Sequence, residues 1–144
     1  MIKIFINILT EQLDGITISS AGFKAVYETK SYTSEKQMGL YYGRCNGYEA
    51  CERSLLAACS IIKEEFINQP ISIILNKKTH LNSILKSKRQ PSRGEAHVLL
   101  KDVIAKMQLN FSPTISADEE AAQMQDALRN ARYSMVKKRH DIAQ

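Results

Sequence analysis

The sequence predicts an α/β domain with a mixed sheet and helices on both of its faces. Three observations carry this. Segments rich in β-branched and aromatic residues fill the chain up to Tyr42, with turn signals between them. From Gly47 the apolar period changes to that of a helix. After that, strand-like and helix-like segments alternate, which implies parallel pairing through a crossover.

The elements follow in order. "IKIFINIL", residues 2–9, is almost wholly apolar and suits a strand covered on both faces. Asp14-Gly15 is a turn signal. "ITISSAGFKAVYETKSYT" continues in β-rich residues, with a bend expected near Ala21-Gly22, and "MGLYY" at 38–42 makes a third strand. These three form an antiparallel meander. Tyr48, Cys51, Leu55, Cys59, Ile62 and Phe66 then recur at helical spacing, and Pro70 ends that helix. Ile71–Leu75 is a short buried strand. Helices are expected over about 77–85 and 95–107, separated by the basic loop "KSKRQPSRG". "QLNF", residues 108–111, reads as a fifth strand, parallel to the fourth.

The last helix has the strongest start signal. Ser116-Ala117-Asp118-Glu119 has the pattern of a capping box. Behind it, Ala117, Ala121, Met124, Leu128, Ala131 and Met135 repeat every three or four residues. Such a stripe packs against a sheet more often than it forms a dimer seam.

The chain has 144 residues, which suits one domain with a single core, spanning 1–144 and fraying at its last residues. Neither a bilayer-crossing run nor a signal peptide is evident. Cys45, Cys51 and Cys59 lack metal-ligand spacing, and a reduced, cytoplasmic setting is expected. Net charge is +5 and the isoelectric point is about 9.1. Between Phe66 and Gly94 there is no acid, but Lys77, Lys78, Lys86, Lys88, Arg89 and Arg93 all fall there. Lys137, Lys138 and Arg139 form a second cluster, read as a solvated tail.

Three short motifs, in this order and on these elements, together with one position in strand one, resemble the ribonuclease H family. "Asn46-Gly47-Tyr48-Glu49" resembles the stretch carrying the family's second catalytic acid, early in the first long helix. "Asn76-Lys77-Lys78-Thr79-His80-Leu81-Asn82-Ser83-Ile84" resembles the segment that begins with its third acid. "Ile115-Ser116-Ala117-Asp118-Glu119-Glu120-Ala121" resembles the one carrying the fourth, with Asp118 in the acid's place. The first acid's place in strand one falls to Asn7. The resemblance spans about residues 1–138. It implies the family's mixed five-stranded sheet: a meander of strands 1–3, then parallel strands 4–5, with helices on both faces.

The departures bear on chemistry. Active members hold two magnesium ions between four carboxylates, and these ions activate the attacking water and stabilise the leaving oxygen. Here Glu49 and Asp118 keep their charge, while Asn7 and Asn76 are neutral amides. Magnesium wants anionic oxygens, so half of the ligand charge is gone. Ile8 and Leu9 follow Asn7 where the family has a small-residue turn, and Lys77 adds a positive charge. Asn76 directly precedes a predicted helix and is expected to cap it.

Stand-in acids are Glu11, Asp14, Glu52 and Asp102. Glu52 lies three residues after Glu49, a spacing usual for a solvated face. His80 and His97 have no evident partner, and "SPTIS" lacks the mobile histidine of the family. Tyr41 and Tyr42 fit the core better than a stacking platform.

The resemblance and the basic stretch together imply a catalytically inactive relative without a cofactor. It would bind RNA or an RNA–DNA hybrid through Lys77, Lys78, Lys86, Lys88, Arg89 and Arg93, by contacts to phosphate. A protein-interaction module or inhibitor on a dead nuclease fold, of the kind viral or mobile-element accessory proteins use, is the alternative. A magnesium-dependent ribonuclease using Glu49, Asp118 and a substitute acid is the third reading. No small-molecule or membrane partner is expected.

Overall fold

A computed structural model describes residues 2–28, 30–31, 33–65, 71–76, 114–116 and 120–143. β1 (Ile2–Leu13), β2 (Ile16–Glu28) and β3 (Thr33–Arg44) precede α1 (Gly47–Glu65); β4 (Ile71–Leu75), β5 (Thr114–Ser116) and α2 (Ala121–Ala143) follow. The sheet order is β3-β2-β1-β4-β5. β1 pairs antiparallel with β2 and parallel with β4, and β5 is parallel to β4. The expected α/β architecture, a mixed sheet with helices, is present.

Side-chain alternation divides the core into two layers. Ile4, Ile6 and Ile8 of β1 join Ala21, Phe23, Ile73 and Leu75 against Cys51, Leu55 and Ala58 of α1. Phe5, Val26 and Ile74 point the other way and meet Met124 and Ala127 of α2. The all-apolar reading of β1 is thereby explained: each face has its own helix. At the β1–β2 hairpin, Asp14 and Gly15 both have positive φ, 51° and 77°, as a two-residue turn between right-twisted strands requires.

Several elements differ from the sequence reading. β3 begins at Thr33, well before Met38, because its polar residues pair with β2 at the sheet edge. Gly22 is no bend. It lies in the middle of β2 opposite Asn7, where a Cβ would stand 1.7 Å from the Ala127 carbonyl oxygen. Ser116 belongs to β5, paired with Ile74, and α2 opens later than expected, at Ala121. Among the described residues of α2, Met124, Ala127, Ala131 and Met135 are buried, whereas Ala121 is exposed. Lys137, Lys138 and Arg139, expected in a tail, lie within α2. The helices expected at 77–85 and 95–107, and the strand at 108–111, lie outside the described residues.

Polar contacts fix α2 across the sheet. The Ser20 hydroxyl donates to the Ala131 carbonyl at 2.7 Å, and Asn130 Nδ2 donates to Gln37 Oε1 at 2.8 Å. Lys24, buried in β2, is paired with Asp126 of α2 and lies 3.4 Å from Glu35 of β3. The Lys24 hydrogen bond holds the Asp126 carboxyl below its ordinary 3.8, and the Asp126 bond raises Lys24 above 10.5. Asp126 therefore adds stability above pH 3.8, which is lost as the pH falls through its lower folded value. Lys24 adds stability below pH 10.5, which is lost as the pH rises through its higher folded value. Asp126→Asn is expected to lower stability at pH 7, by a deficit that shrinks as the pH falls below 3.8. Urea unfolding at pH 7 and pH 2 checks this, and a deficit unchanged at pH 2 would refute the charge argument.

Candidate functional site

Asn7 and Asn76, far apart in sequence, meet at the junction of β1 and β4. β4 ends at Leu75 opposite Ile6, and the Asn76 backbone N–H continues the ladder to the Ile6 carbonyl at 3.2 Å. The Asn76 side chain then extends the ladder by one more rung. Its Oδ1 accepts from the Ile8 N–H at 2.8 Å, and its Nδ2 donates to the Ile8 carbonyl at 3.1 Å. The same Nδ2 donates to Asn7 Oδ1 at 2.9 Å. Asn7 is buried, and its own Nδ2 donates to the Met124 carbonyl in the first turns of α2, at 3.4 Å.

This network has one consistent orientation. The Ile8 N–H can only donate, so Asn76 must face it with oxygen. Its NH2 then faces Ile8 O and Asn7 Oδ1, which leaves Asn7 NH2 for Met124. Both donor hydrogens of Asn76 are engaged, one by Asn7 Oδ1 and one by the Ile8 carbonyl. A carboxylate at 76 could accept from Ile8 N–H but would set its second oxygen against two acceptors. The pair offers no anionic oxygen, and each amide oxygen already accepts a hydrogen bond. This donor set does not fit a magnesium ion.

Glu49 stands in the first turn of α1, whose start is built locally. Cys45 N–H donates to the Thr17 carbonyl, and the Ser19 hydroxyl donates to the Cys45 carbonyl at 2.6 Å. These contacts tie the chain leaving β3 to β2. Asn46 Oδ1 then accepts from Glu49 N–H at 2.8 Å, an N-cap on the third helical residue. The N-x-x-E spacing is thus a helix-start device. The Glu49 carboxylate, partly exposed, is 3.3 Å from the Arg53 guanidinium one turn on.

Glu52 overturns its reading as a solvated acid. It is 1% exposed, because the inward arc of α1 extends past Cys51 to reach it. Tyr42 is half-buried under α1, where its hydroxyl shares a 2.8 Å hydrogen bond with the Ser54 hydroxyl. Arg53 lies 5.9 Å from its ring centre, and burial pushes the phenol up to about 12. Its ring is committed to α1. Burial raises the thiols of Cys45 and Cys51 to about 11 and about 12, which suits packing and not nucleophilic chemistry. Glu11 lies in β1 and Asp14 in the hairpin turn.

The structure thus brings Asn7 and Asn76 into direct contact and sets Glu49 at the head of α1. Asp118, Lys77, Lys78, Lys86, Lys88, Arg89, Arg93, His80, His97 and Asp102 lie outside the described residues. The contribution of Ile8 had no signal beyond the fullness of β1. Its backbone is what turns two amides into a lock.

Comparison by sequence finds no matching family model and no matching curated protein. Comparison by structure finds ribonuclease H domains. The RNase H1 of the archaeon Halobacterium salinarum superimposes with a TM-score of 0.65 at 12% identity, covering 94% of this chain and 98% of that one. The N-terminal RNase H domain of a Mycobacterium tuberculosis protein gives 0.63 at 14%, covering 92% and 98%. An RNase H1 solved in complex with an RNA/DNA hybrid gives 0.57 at 13%, covering 94% and 98%. The fold of this chain is ribonuclease H-like.

Proposed function

We propose that this chain is a nucleic-acid-binding protein on a ribonuclease H-like fold that does not cleave what it binds. The observation that carries the reading is the Asn76 Nδ2 to Asn7 Oδ1 hydrogen bond of 2.9 Å. Where the resemblance expects two carboxylates sharing metal ions, these positions bond to each other without charge. Glu49 is held by Arg53, an ion pair that draws its carboxylate toward a helix neighbour.

The partner proposed is RNA or an RNA–DNA hybrid, and the ligand of the hybrid-bound relative supports that choice. Lys86, Lys88, Arg89 and Arg93, with Lys77 and Lys78, would contact phosphates. Recognition would be of backbone shape, since cationic contacts to phosphate carry no sequence information.

Titration of a labelled hybrid across a salt series tests this. Alanine at Lys86, Lys88, Arg89 and Arg93 together is expected to weaken binding and flatten the log–log salt dependence by about 3 to 4, at about 0.9 per phosphate contact. Incubation with magnesium or manganese is expected to leave the hybrid intact. Cleavage by the wild-type chain would overturn the inactive reading, and unchanged binding by the quadruple variant would overturn the loop.

A further inference from the structure

We infer that the outward face of α2 is a second nucleic-acid contact, one that receives single-stranded chain. This rests on the reading of the protein as a nucleic-acid binder but concerns a different surface. The inward face of α2 is spent on the sheet through Met124, Ala127, Ala131 and Met135. Arg129, Arg132, Tyr133, Val136 and Lys137 are exposed. At helical spacing, Tyr133 lies one turn from both Arg129 and Lys137, and Arg132 lies one turn from Val136.

Two features identify the occupant. The first is charge. From Ala121 to Lys137 the one acid is Asp126, against Arg129, Arg132 and Lys137. Asp126 is itself held by buried Lys24 and by Arg129 at 3.1 Å. The face therefore carries a net positive charge and attracts an anion. The second is the aromatic ring. Tyr133 is 68% exposed and Val136 66%, in the middle of the cations. An exposed ring flanked by Arg and Lys is a stacking platform beside a phosphate track. Stacking on it needs a base not already stacked in a duplex, hence a single strand. Two apolar side chains are too few for an interfacial membrane helix.

The test is fluorescence anisotropy of the whole chain with a short labelled oligouridylate. Tyr133→Ala is expected to weaken binding about 5- to 100-fold, the worth of one stacked base. Arg132→Ala with Lys137→Ala is expected to flatten the salt slope by about 1.4, at about 0.7 per contact. Circular dichroism verifies that these surface variants stay folded. Wild-type binding by both variants overturns the inference. Loss in the α2 variants alongside full binding by the Lys86, Lys88, Arg89 and Arg93 alanine variant upholds it while removing the basic loop. Loss in the loop variant alone does the reverse. Capture by anionic vesicles or polyglutamate, with no oligouridylate binding, also overturns it.

Discussion

Gly22→Ala is expected to lower the unfolding free energy by about 3 kcal/mol or more, the upper end for overpacking. The added Cβ would stand 1.7 Å from the Ala127 carbonyl oxygen, 2.6 Å from Ala131 N and 2.8 Å from the Ala127 carbonyl carbon. All three are helix backbone and cannot rotate away as a side chain would. Either α2 lifts from β2 or β2 bends. Lifting α2 would also strain the Ser20 bond to Ala131 and the Lys24 pair with Asp126. Alanine narrows the unfolded ensemble, but that gain is only about 0.4 to 1 kcal/mol, so the clash decides the sign. Gly15→Ala is the control. A Cβ added there would meet nothing within 4 Å, so the variant bears only the penalty of its positive φ, about 1 kcal/mol. Urea unfolding of the two variants separates close approach from backbone conformation. A Gly22→Ala protein as stable as Gly15→Ala would refute the close packing of α2 on β2.

Asn76→Asp is expected to cost about 2 to 6 kcal/mol at pH 7. Two donations, to Asn7 Oδ1 and to the Ile8 carbonyl, become contacts between an anion and acceptors, at about 1 to 3 kcal/mol for each group left unmatched. The introduced carboxyl is expected to titrate above the ordinary carboxylate range in the folded state. The charge-dependent part of its penalty is then absent below about pH 4, grows as the pH rises through the unfolded value, and levels off above the folded one, while the neutral acid still supplies one donor where the amide supplied two. Asn7→Asp with Asn76→Asp sets two carboxylates against each other, which favours a shared proton. Magnesium or manganese is expected to raise the melting temperature of that double variant and to leave wild type unchanged. A metal-dependent rise in the wild type would contradict the amide lock, as would full stability of Asn76→Asp at pH 7.

The two amides mark the boundary between what sequence and structure each reveal. Their positions were legible as places where the resemblance calls for acids, and their neutrality followed from residue type. The bond of Asn76 to Ile8 was not legible. Asparagine before a predicted helix reads as a cap, a role that falls on residues outside those described, and nothing in that reading points to the bond from the Ile8 N–H. That partner is sixty-eight residues away, and no local pattern announces it. Glu52 misled for a similar reason: a three-residue spacing from Glu49 describes a helix face but not how far around the helix burial reaches. The Asn46 cap on Glu49 was not named from the sequence, although it is a contact within three residues and so is written in the local pattern.

By itself the sequence determined the strand segments of β1, β2 and β4, the Asp14-Gly15 turn, the start of α1 and the apolar character of β1 on both faces. Each depends on backbone preference or on a period that a few adjacent residues display. Only the tertiary structure decided that Gly22 is a seat for α2, that Glu52 is buried, and that Asn76 pairs with Asn7 and Ile8. Each of these depends on a distance between residues remote in the chain, and hydrogen bonding and steric exclusion act at that distance whatever the separation in sequence.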